Sequence, residues 1–133
     1  MNVLITLPPH LIEAIILGRK TIELRKSRPT LMKIKEDGFF CVEKGTKEVR
    51  CWCRCDDMEI RCARDINPFS LVDSVCVDEG YIRKYLNKAN LAYLWHIGKV
   101  IEFERGSLSI HSLLVDKNPQ QFAYCPLSCG ESF

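Results

Sequence analysis

The sequence predicts an α+β fold, a small closed β-barrel with two or three flanking helices, and three observations predict it. The chain has 133 residues, enough for one compact core and too few for two ordinary ones, so a single domain over residues 1–133 is expected. Short apolar or alternating runs are spread along the whole length, with only two or three helical segments between them. Turn signals separate these runs closely, which favours a small barrel over a parallel sheet.

The elements follow in chain order. The opening apolar run ends at Pro8-Pro9. From there Leu11, Ile12, Ile15 and Ile16 keep helical spacing, so a helix from Pro9 to Leu17 is expected, with proline in its first turn and Gly18 as its C-terminal cap. Thr21-Ile22-Glu23-Leu24-Arg25 alternates as a half-buried strand, with Ile22 and Leu24 on one face and Thr21, Glu23 and Arg25 on the other. A turn-rich basic stretch leads to Phe39-Phe40-Cys41-Val42, which reads as a buried strand closed by the turn Lys44-Gly45-Thr46. In the strand from Glu48 to Cys55, Val49, Cys51, Cys53 and Cys55 share one face and Arg50, Trp52 and Arg54 the other. Asp56-Asp57 ends it, and Met58 to Arg64 extends the sheet.

Two short helices are expected next, one opening near Asn67-Pro68 and one from Asp78 to Leu86, whose acidic first turn and later basic residues suit the helix dipole. Strands at Leu91–Ile97, Lys99–Phe103 and Leu108–Leu114 complete the set.

With 47% apolar residues and a mean hydropathy of -0.07, the chain is neither disordered nor collagen-like. It has nothing near the ~20 apolar residues of a transmembrane helix. The N-terminal run has no basic lead-in and is broken by the proline pair, so no secretory signal is expected and the protein reads as cytoplasmic, with its eight cysteines mostly reduced.

The formal net charge of +2 excludes no partner by itself. It conceals a belt: residues 19–35 hold seven Lys and Arg against Glu23 alone, and the rest of the chain is mildly acidic. Such a belt can neutralise several phosphates, and on charge alone it reads equally as a solvated face. Within it, Glu23 and Arg25 share a face with Lys20 close by. A carboxylate between two cations is held ionised and oriented, able to bind a polar ring or a ribose or to move a proton.

Three segments in this order resemble the ASCH domain family of the PUA-like superfamily. They are Leu4 to Pro29, containing Gly18-Arg19-Lys20-Thr21-Ile22-Glu23-Leu24-Arg25; Tyr93-Leu94-Trp95-His96-Ile97; and Pro119-Gln120-Gln121-Phe122-Ala123-Tyr124. The resemblance implies a PUA-like barrel with a cleft lined by the Gly-x-Lys-x-x-Glu-x-Arg segment. It also implies RNA binding in connection with transcription or translation. One branch of the family deacetylates N4-acetylcytidine and carries a threonine where this chain has Glu23. Another member type has been described as a ribonuclease.

On this reading Arg19, Lys20, Arg25 and Arg28 meet phosphate. Glu23 orients Lys20 and Arg25 or accepts from a base, and Gln120 and Gln121 read a base edge, since an amide both donates and accepts. Trp95 and Tyr124 offer stacking surfaces, although the alternation places Trp95 and His96 on opposite sides and an apolar strand is also where a core tryptophan sits. The expected partner is RNA or a nucleoside, with no cofactor. If the protein is an enzyme, it is a hydrolase with Lys20 and Glu23 as its acid/base pair. A module docking an acidic protein partner is a third reading.

No metal site is expected. Cys51, Cys53 and Cys55 alternate on one strand, where successive same-face positions lie about 6.6–7 Å apart, and this spreads the sulfurs along the strand as small buried hydrophobes. Cys125 and Cys129, near the C-terminus, are expected to be open to oxidation in vitro.

Overall fold

The computed structural model describes residues 1–127. Six strands form one mixed sheet: β1 (Asn2–Leu7), β2 (Ile22–Arg25), β3 (Gly38–Glu43), β4 (Val49–Cys62), β5 (Leu91–Glu102) and β6 (Ala123–Cys125). Three α-helices accompany them, α1 (Pro9–Ile16), α2 (Val72–Val75) and α3 (Glu79–Leu86). The strand order is β2-β5-β4-β3-β1-β6, and only the β1–β3 ladder is parallel. No helix among the described residues is long and apolar enough to cross a membrane.

The fold is therefore α+β, but the expected barrel does not close. β2 and β6 are the edges of the sheet, and no ladder joins them. The edges nevertheless approach each other, because Arg25 on β2 donates from Nη1 to the Gln121 carbonyl, just before β6, at 3.0 Å. One hydrophobic cluster explains the curl. It runs from Val3 and Ile5 on β1 through Phe39, Cys41, Cys51, Cys53 and Cys55 to Trp95 on β5, and Leu11, Ile12 and Ile15 of α1 pack into it.

Local signals set the helix and strand that matter most. Pro9 sits in the first turn of α1, and the chain leaves the helix through Gly18 at φ +78° while the amides of Arg19 and Lys20 both return to the Ala14 carbonyl. β2 then pairs antiparallel with β5, Glu23 opposite Trp95. Its apolar side chains, Ile22 and Leu24, pack against Leu71, Val75, Ile82 and Leu86 of the helical segment. Asp78 caps α3 by accepting from the Tyr81 amide.

Several expectations change with tertiary context. The apolar run before the prolines forms β1, the strand that holds β3 and β6 together. The interruption expected at Asp56-Asp57 is absent, because bulges between Cys53 and Cys55 and between Cys55 and Asp57 absorb it within one 14-residue strand. The two strands expected over 91–103 are likewise one, since Gly98 leaves room for the Asp56 carboxylate: a Cβ there would lie 2.1 Å from Asp56 Oδ2. Val49 leaves the cysteine face for the cluster around Trp52 and Phe40, because the register shifts between Cys41 and Val42. Residues 108–114 make a 3₁₀ turn over Ile110–Leu113 and an isolated bridge from Ser109 to Glu48, with Ile110 and Leu113 fully buried. The helix expected near Asn67-Pro68 is a 3₁₀ turn running into α2. Cys125 is buried, its thiol directed at the Leu113 carbonyl, and is not the open thiol expected. Cys129 lies outside the described residues.

Candidate functional site

The basic segment after α1 enters a cleft of about 1110 Å³. Its floor is an ion-pair chain built by the alternation of β2. Lys20 and Glu23 are almost wholly buried, at 1% and 4% of their surface. Lys20 Nζ stands 3.0 Å from Glu23 Oε1 and donates to the carbonyls of Ile22 and Val75, at 2.8 and 3.0 Å, so all three of its hydrogens have acceptors. Glu23 Oε2 accepts from Arg25 Nε at 2.6 Å, and the Arg25 guanidinium lies 5.9 Å from the centre of the Trp95 ring. Burial alone would raise the Glu23 carboxyl, but the charges and hydrogen bonds of Lys20 and Arg25 override it and hold the group below its ordinary value.

One wall is the segment 118–122, pinned at three points. Thr6 Oγ1 donates to the Pro119 carbonyl at 2.7 Å, Asn118 Nδ2 to the Thr46 carbonyl, and Arg25 Nη1 to the Gln121 carbonyl. These bonds leave the side-chain amides of Gln120 and Gln121 exposed on the cleft. Another part of the lining is aromatic. Tyr81 and Tyr85, one turn apart on α3, stack with ring centres 6.1 Å apart and planes within 8°. Lys26 Nζ lies 4.6 Å from the Tyr85 ring centre, a cation–π contact. Lys26 and Lys44 are exposed on the lining, and His10 stands there too.

Solved structures of the same shape exist. ASCH from Zymomonas mobilis matches with a TM-score of 0.74 at 16% identity, covering 92% of this chain and 86% of that one. A serine-to-alanine variant of that protein gives 0.75 at 17% identity, covering 92% of this chain and 87% of that one. A tyrosine-to-phenylalanine variant gives 0.72 at 17% identity, over 92% and 88%. The chain has the ASCH fold. No family model and no curated protein matches the sequence itself.

Within this ASCH fold, Lys20, Glu23, Arg25, Gln120 and Gln121 line one cleft. Arg19 and Arg28 are exposed and stand outside the lining, so only part of the basic belt of the sequence lies in the cleft. Trp95 is fully buried against Phe39, at 5.5 Å between ring centres, and reaches the cleft only through Arg25. Tyr124 is half-buried, and its hydroxyl accepts from the Leu31 amide at 3.2 Å. The cleft also recruits Tyr81, Tyr85 and Lys44, which sequence reasoning passed over, and Lys26, which it counted only within the basic belt. The i,i+4 spacing of the two tyrosines within a helix was the available signal.

Proposed function

We propose that the cleft binds RNA or a modified nucleoside through an unpaired base, as a PUA-like module. The observation that carries this reading is the combination, in one cleft, of the Tyr81–Tyr85 stack, the free amides of Gln120 and Gln121, and the rigid Lys20–Glu23–Arg25 floor. An exposed tyrosine offers a stacking face, worth about 1–3 kcal/mol per base. The amides suit a base edge, being donor and acceptor at once. Lys26 and Lys44, exposed at the cleft, would meet phosphate, and Arg19 and Arg28 would extend that contact outside it. The volume lies at the large end of small-ligand pockets, which run to about 1000 Å³, and suits a nucleotide with part of its neighbours.

Lys20 and Glu23 hold the floor in this reading and do not exchange protons with a ligand. Each hydrogen of Lys20 has an acceptor, and both Glu23 oxygens are engaged by cations. A carboxylate kept ionised is a poor general acid.

Titration of short single-stranded and duplex RNAs, and of N4-acetylcytidine, at several salt concentrations tests the proposal. Single strands should bind more tightly than duplex. Tyr81→Ala should cost about 1–3 kcal/mol, and Lys26→Ala should lower the salt slope by about 1. Absence of binding at low salt, or binding indifferent to both variants, sinks the reading. Hydrolysis of acetylated cytidine or RNA that vanishes in Glu23→Gln would replace it with a hydrolase.

A further inference from the structure

The interior of the curled sheet holds a group that the cleft does not use. Cys41 on β3 stands directly across the ladder from Cys51 on β4, and Cys53 follows on the same face. All three side chains are excluded from solvent, and their sulfurs lie within 4.8 Å of one another. The expected spread of the sulfurs along β4 does not hold, because the Cys51 and Cys53 side chains converge to within 4.8 Å, and the third sulfur comes from the neighbouring strand.

We propose that Cys41, Cys51 and Cys53 form a three-sulfur site for a soft monovalent cation, Cu(I). An ion about 2.3 Å from each of three sulfurs needs sulfur separations of about 4.0 Å, within reach of small side-chain rotations from the observed spacing. The donor set is sulfur alone: no histidine nitrogen or carboxylate oxygen joins the group among the described residues. Thiolates select Cu(I), zinc and iron–sulfur clusters from the biological metals, and a structural zinc or an iron–sulfur cluster takes four protein ligands. Here Val3, Ile5, Phe39 and Trp95 share the cluster and line its surroundings with apolar groups, which disfavours a water in a fourth position.

Coordination replaces thiol protons, which leave to solvent, and involves no change of oxidation state.

The test uses the full chain without oxygen, with Cys62, Cys76 and Cys129 as serine to remove bystander thiols. Cu(I) is delivered from a chromophoric chelator, to the folded protein and during refolding. One ion per chain should withstand the chelator, with a sulfur-to-copper charge-transfer band, a raised unfolding midpoint, and three sulfur neighbours in X-ray absorption. Cys41→Ser and Cys53→Ser should each lose the band, and Cys55→Ser should keep it. X-ray absorption on the chain with its three sulfurs intact decides the matter even where a serine variant fails to fold. No retained copper, a mixed sulfur and nitrogen shell, a four-coordinate zinc in its place, or copper kept unchanged by folded Cys53→Ser would each overturn the assignment.

Discussion

Lys20 Nζ and Glu23 Oε1 lie 3.0 Å apart between side chains that keep only 1% and 6% of their surface. Such a pair costs desolvation on both sides. The pair is tolerable here because each remaining polar atom has a partner: two carbonyls for Lys20 and the Arg25 guanidinium for Glu23.

Breaking the pair from one side should therefore be costly. Glu23→Gln leaves a buried ammonium uncompensated and should lower stability by about 3–5 kcal/mol in urea unfolding. Lys20→Met combined with Glu23→Gln should recover part of that loss, and strictly additive losses would show that the two residues are not coupled.

Acid should act through the same group. The folded-state carboxyl of Glu23 is depressed below its ordinary 4.5, so the stability it contributes is present above that pH and is lost as pH falls through the folded value. The difference in unfolding free energy between wild type and Glu23→Gln should be constant near neutrality and shrink below about pH 4.5. A difference independent of pH would contradict the assignment.

Arg25 bridges two edges of the open sheet, with Nε on Glu23 and Nη1 on the Gln121 carbonyl. Lysine at 25 keeps the charge but not the fork. Arg25→Lys should release the 118–122 wall by about 1 kcal/mol, seen as roughly fivefold faster amide exchange there, together with weaker RNA binding. Unchanged exchange would mean that Thr6 and Asn118 alone hold the wall.

Two glycines should respond in opposite directions. A Cβ on Gly38 would lie 1.8 Å from the Cys53 carbonyl oxygen, a backbone atom in the paired strand, whereas a Cβ on Gly80 in α3 meets only Asp78 Oδ1 at 3.4 Å. Gly38→Ala should cost about 3 kcal/mol or more, and Gly80→Ala should gain up to about 1 kcal/mol from helix propensity. Thermal unfolding distinguishes the two, and a tolerated Gly38→Ala would show that β3 and β4 can separate locally.

The sequence by itself determined what depends on a few neighbouring residues. The proline and glycine around α1, the capping Asp78, and the alternation that puts Glu23 and Arg25 on one face of β2 are all local signals, legible because period and cap chemistry act within one turn or one pleat. Tertiary structure decided the rest. The parallel pairing of β1 with β3, the bulges that make β4 and β5 continuous, and the open edges bridged by Arg25 depend on register between distant segments, which no short window records. The candidate site divides the same way: its floor is local and legible, whereas its tyrosine lining comes from α3, whose distance in the chain hides its place beside β2. The three-sulfur cluster is the clearest case. Spacing along β4 argues against it, yet the Cys51 and Cys53 sulfurs converge to within 4.8 Å, and the register that sets Cys41 opposite Cys51 adds the third.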